Sequence, residues 1–142
     1  MKVIATKREG LGAMYLICTV VGVACIILGV AMPNLYSALL GILLSITCGY
    51  IYAKYFSLPK VVISIDQNGC LFLPKGVVIN IKDVVDVSYR RAAAKGIQYR
   101  WGDITLTTRI GKYKYGFIAE CENVAKSLTE MMHKAKYDSE VV

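Results

Sequence analysis

The residues best placed to do chemistry are cations. Arg90, Arg91, Lys95 and Arg100 fall within eleven residues that hold no acid, and Arg109, Lys112 and Lys114 surround Gly111. Tyr99, Trp101, Tyr113 and Tyr115 are interleaved with them. Each cation near an anionic bilayer surface contributes about 1 kcal/mol of attraction. If residues 90 to 100 and the turn at 111 lie at one end of a domain, the seven cations make a lipid-binding surface. The alternative is a solvated rim of strand ends beside the membrane. RNA bases could stack on the same surface, but no recognised nucleic-acid motif accompanies it, so nucleic acid is not expected as a partner.

Catalysis finds little support. His133 is the one histidine and stands among charged residues of a helical stretch, and a catalytic base needs a positioned nucleophile or substrate proton. Gly10-x-Gly12 lacks the third glycine and the preceding strand of a nucleotide loop, and no Walker lysine motif follows. Asp83 and Asp86 have no histidine or cysteine companions, so no metal is expected. Cys18, Cys25, Cys48, Cys70 and Cys121 form no C-x-x-C pair, and neither a disulfide framework nor a zinc site is implied. The expectation is a protein without enzymatic activity and without a cofactor.

The element that must position everything else is the stretch from Leu11 to Ala53, 43 residues without one Asp, Glu, Lys, Arg or His. As one helix it would be about twice as long as the roughly 30 Å hydrocarbon core of a bilayer. Two spans are therefore predicted, about 11–32 and 35–56, with the reversal at Pro33-Asn34, where proline removes a donor and disfavours helix before it. A cleaved secretory signal would have a shorter apolar run, and no second span would follow so closely. From Leu11 to Ala53 the spans hold no ionisable acid, base or histidine, the usual mark of a transport path. Lys2, Lys7 and Arg8 precede the first span, Lys54 and Lys60 follow the second, and the connecting turn is uncharged. The positive-inside rule then puts both termini in the cytoplasm, with the chain a multi-pass protein of the cell's inner (plasma) membrane.

The spans also carry small residues in stripes. Ser37, Gly41, Ser45, Gly49 and Ala53 recur every fourth residue, and Cys18, Gly22, Cys25 and Gly29 lie at matching depth about Pro33. Small stripes let helix backbones approach closely in lipid. They are expected to zip the hairpin together, with a homodimer face as the alternative.

Residues 1–56 are thus read as a tail and a transmembrane hairpin, and residues 57–142 as a cytoplasmic domain. The net charge of +7 divides as +4 over residues 1–60 and +3 over residues 61–142. The domain is only mildly basic, so an anionic membrane surface suffices as its partner. Alternation with period two predicts a strand over 61–65, a turn at Asp66-Gln67-Asn68-Gly69 and a return strand over 70–73. A turn at Pro74-Lys75-Gly76 and a short strand over 77–81 follow. Val85, Val87 and Tyr89 predict one buried strand face, and Ile104, Leu106, Thr108 and Ile110 another. Residues 91–101 have no clear period. Tyr113, Tyr115 and Phe117 continue as a strand. Val124, Leu128, Met131 and Ala135 then form one apolar helical stripe, ending near Lys136 and leaving a frayed tail.

About six antiparallel strands closed by one amphipathic helix resembles a pleckstrin-homology (PH) barrel or sandwich, an α+β domain with a C-terminal helix. The chain resembles, more narrowly, small bacterial membrane proteins that carry a bacterial PH-like domain directly after two transmembrane helices. The resemblance rests on Val62 to Asp66 through Gly69, on Ile79 to Val87, on Gly102 to Thr108, and on Cys121 to Ala125 opening the helix. It implies lipid contact, self-assembly or partner binding, and an interaction module at the membrane face. The alternatives are a sensor of anionic headgroups and an accessory subunit of a transporter or membrane enzyme. Eukaryotic PH domains usually place their basic signature in the first hairpin turn. Here that turn reads Asp66-Gln67-Asn68-Gly69, which argues against a headgroup-specific site.

Overall fold

The computed structural model describes residues 1–141. The chain divides into two compact units, Glu9–Leu58 and Met1–Arg8 with Pro59–Val142.

The first unit is a helical hairpin of α1 (Leu11–Ala31) and α2 (Leu35–Ser57). Both helices are long and apolar enough to cross a membrane. Their outer faces are uncovered, with Val30 at 73% and Ile46 at 67% exposure. Water-soluble helices seldom show so continuous an apolar surface. The reversal falls at the expected place. The Asn34 N–H donates to the Gly29 carbonyl at 2.9 Å, and the Asn34 side chain accepts the Ser37 N–H at 3.3 Å, capping α2.

The seam follows the small residues at its centre. A Cβ added to Gly41 would stand 2.6 Å from the Gly22 carbonyl oxygen, and one added to Gly29 would stand 2.5 Å from the Ala38 nitrogen. Ser37 Oγ donates to the Cys25 carbonyl at 3.2 Å. The four-residue stripe does not stay on the contact line, however. Four residues advance a helix by about 400°, so each step drifts about 40°. Beyond Ser45 the line passes through Cys48 and Tyr55, both buried, while Ala53 is exposed and a Cβ on Gly49 would meet only Thr19 Cγ2 at 4.0 Å. Gly49 is therefore at the margin of the seam it was expected to form.

Among the described residues the second unit contains seven strands and one long helix. β1 (Lys2–Thr6), β2 (Val61–Ile65), β3 (Cys70–Leu73) and β4 (Val77–Asn80) form an antiparallel sheet in that order. β5 (Val84–Ala94), β6 (Ile97–Thr108) and β7 (Lys112–Ile118) form a second. α3 (Cys121–Glu140) follows. Residues 1–8 thus belong to the domain rather than to the hairpin. Ala5 is 1% exposed, Lys2 pairs with Ile65, and the Lys7 N–H donates to the Lys60 carbonyl at 2.9 Å. The hairpin is an insertion between two paired strands, so the chain leaves the domain at one end of a ladder and re-enters it there.

The N-terminal segment also joins the sheets. Lys7 bridges to Ile118, the Arg8 N–H donates to the Phe117 carbonyl at 2.8 Å, and the Ala119 N–H donates to the Thr6 carbonyl at 3.0 Å. The sheets do not close into a barrel, because β4 and β5 end their sheets without pairing with each other. Ile63, Leu71, Ile104, Leu106 and Ile118 fill the core, and α3 covers it with Cys121, Val124, Leu128 and Met132.

Three local expectations need correction. Val85 is 50% exposed, because a register shift between Val84 and Asp86 gives the buried position to Val84. Ile110 is 91% exposed, in the turn that Thr108 closes by accepting the Gly111 N–H at 3.1 Å. α3 runs on to Glu140, past the predicted end near Lys136.

Candidate functional site

The stretch without a clear period, residues 91–101, is the tip of the β5–β6 ribbon. Lys95 and Gly96 both have positive φ, 49° and 82°. Such a pair makes the two-residue turn whose twist matches that of the flanking strands. The ribbon is extended on both sides of it, with Ala94 opposite Ile97 and Arg91 opposite Gly102. Gly102 has no room for a side chain, since a Cβ there would meet the Arg90 carbonyl oxygen.

This geometry separates the seven cations. Arg90, Arg91, Lys95 and Arg100 belong to the tip, whereas Arg109 and Lys112 flank the turn at the other end of β6 and Lys114 lies opposite Thr105. A strand of β6's 12 residues spans about 40 Å. The expected single rim is therefore two groups. Two of its members already have partners. The Arg91 guanidinium is ion-paired with the Glu122 carboxylate, which also holds Lys126 Nζ at 3.0 Å, and Lys114 Nζ lies 3.5 Å from Asp103 Oδ2.

Strand parity divides the tip further. Arg91 shares a face with Gly102, the face that turns toward α3, and Arg90 shares the opposite face with Asp103. On the α3 side a cleft of about 170 Å³ is lined by Arg91, Arg100, Glu120, Glu122 and Asn123. Arg91 is ion-paired with Glu122 there, and Asn123 Nδ2 donates to Glu120 Oε2 at 3.3 Å. The Arg91–Glu122 pair joins α3 to the ribbon across this cleft. Burial pushes the Cys121 thiol nearby above its ordinary pKa, and the Arg91 charge opposes that shift. Burial raises the Tyr115 hydroxyl in the same way, with Tyr113 adding to it.

On the other face, Tyr99, Trp101 and Phe117 form a row with ring centroids 6.1 and 6.2 Å apart. Tyr99 is 41% exposed and Ile97 61%. Apolar and aromatic side chains thus stand beside the Arg90 and Lys95 cations at the tip, while Arg100 lies on the α3 side. The Glu122–Lys126 pair is legible in the sequence as an i, i+4 pair of α3. The partners Arg91 for Glu122, Lys114 for Asp103 and Trp101 for Phe117 are not, because each is set by the sheet register or the packing of α3. His133 is exposed on α3, and Asp83 ends a 3-10 turn.

The remaining feature is the outer edge of β5. Among the described residues β5 has β6 on one side and no strand on the other. From Val85 to Arg91, Val87 alone is half-buried and the rest are exposed. Comparison of the chain with protein-family models, curated proteins and solved structures finds no match.

Proposed function

We propose that this chain is a non-enzymatic inner-membrane protein with both termini in the cytoplasm, whose domain is an interaction module for protein. The four-plus-three sheets followed by one helix support a PH-like reading of that domain. The excess of Lys2, Lys7, Arg8, Lys54 and Lys60 over Glu9 at the ends of the hairpin supports the orientation. The observation that carries the function is the β5–β6 ribbon. It offers an unpaired strand edge, which a partner can extend by main-chain hydrogen bonds, and exposed side chains to select that partner. Cross-linking of the full chain in its native membrane, followed by isolation, tests the reading. A stoichiometric protein or a second copy bound through residues 84–101 is expected. A complex held only through α1 and α2 would instead favour the accessory-subunit reading.

A second reading is favoured by the tip itself, where the exposed Ile97 and Tyr99 accompany Arg90 and Lys95. Such a mixture suits an anionic bilayer surface. Trp101 is the one tryptophan in the chain, so its fluorescence reports this region directly. If the tip engages lipid, emission from the full chain in bilayers should be bluer with anionic than with zwitterionic lipid. Salt should reduce the difference, because exposed charges are screened over about 10 Å at 0.1 M. Identical emission in both lipids would leave the protein-binding reading alone.

A further inference from the structure

The exposed edge of β5 is complementary to itself. Setting Asp86-Val87-Ser88-Tyr89-Arg90 antiparallel to a second copy about Ser88 places Asp86 opposite Arg90, Val87 opposite Tyr89 and Ser88 opposite Ser88. The faces agree as well. Asp86, Ser88 and Arg90 stand opposite Thr107, Thr105 and Asp103 on the outward face, while Val87 and Tyr89 stand opposite Leu106 and Ile104 on the core side. Two-fold pairing about a residue keeps every side chain on its own face, so apolar meets apolar and acid meets base.

Within one chain the exposed Asp86 and Arg90 charges have no ion-pair partner among the described residues. Asp103, opposite Arg90, is engaged by Lys114. Asp86 and Arg90 are four strand residues apart, about 13 Å, too far to neutralise each other. From Asp86 to Arg91 the strand pairs with β6 without a register shift, and it is 11 residues long and free of proline, so this stretch of edge is regular enough to accept another strand.

We propose that two copies of this chain pair through β5, joining their three-stranded sheets into one six-stranded antiparallel sheet across a two-fold axis at Ser88. The proposal rests on the reading of the domain as an interaction module and names its partner. An isologous interface requires a self-complementary patch, and this segment is one. Main-chain hydrogen bonds hold the pair, and the two Asp86–Arg90 contacts fix its register. Arg91 falls opposite Val85 in this register and keeps its pairing with Glu122.

The test uses the full chain in detergent or bilayers. Ser88→Cys should give a disulfide-linked dimer under mild oxidation, because directly opposed residues have Cβ atoms about 5 Å apart. Thr105→Cys should not, because its two copies would lie about three strand spacings apart, roughly 14 Å. The parent chain, with its own five cysteines, controls for background. Asp86→Arg and Arg90→Asp should each weaken dimerisation about tenfold, and combining them should restore it. That rescue can arise only between chains. A dimer that persists without Ser88 cross-linking and without charge-swap rescue would overturn β5 pairing yet leave the interaction reading in place. A chain monomeric throughout would also overturn the proposal, and the isolation experiment would then decide separately whether a different protein is the partner.

Discussion

The Arg91 guanidinium of β5 meets the Glu122 carboxylate in the first turn of α3, and Glu122 also holds Lys126 one turn further along. The carboxylate stands where the helix N-terminus favours negative charge, so one acid serves the helix and its docking to the ribbon.

From this pairing it follows that charge reversal at Arg91 is not a neutral surface change. Arg91→Glu sets two carboxylates against each other and should lower thermal stability by more than Arg90→Glu. Because the Arg91 and Glu122 side chains are 38% and 25% exposed, their coupling in a double-mutant cycle should stay below about 1 kcal/mol. Equal melting temperatures for the two reversals would remove Arg91 from the docking of α3.

The hairpin seam predicts unequal glycines. Gly41→Leu must push against the Gly22 carbonyl and Ile26, so it should open the hairpin to proteolysis or aggregation. Gly49→Leu faces only Thr19 at van der Waals distance and should be tolerated. Equal sensitivity at both positions would mean that the contact line does not drift as described.

The N-terminal strand predicts a long-range effect. Ala5→Asp puts a carboxylate without a partner into the core beside residues more than 50 positions away in the chain, a change of the kind that costs several kcal/mol. Protease resistance of the domain should be lost, although the substitution lies on the other side of the hairpin in sequence. Preserved resistance would make residues 1–8 a mere tail.

These features differ in how legible they were. The hairpin and its reversal could be read because an uncharged stretch and a proline act locally. β3, the second half of β6 and the stripe of α3 could be read because each has one apolar face, and β2 because its β-branched run stops at the Asp66–Gly69 turn, although Val62, Ile63 and Ser64 are buried in succession. β1 could not, since its five residues gain meaning only from β2, which follows the entire hairpin. Ala92-Ala93-Ala94 gave no period because both faces of the ribbon tip are exposed, and without that ribbon the two ends of β6 looked like one basic rim. The α2 stripe was misplaced beyond Ser45 because a four-residue spacing is not quite the helical period.

The central claim is that a two-span hairpin holds a folded interaction domain at the cytoplasmic face, and site-directed thiol labelling in intact cells tests it most directly. Asn34→Cys, in the turn between the spans, should react with an impermeant reagent added outside. Ser139→Cys, exposed near the end of α3, should react only after the membrane is permeabilised. Labelling of Ser139→Cys in intact cells with protection of Asn34→Cys would contradict the account.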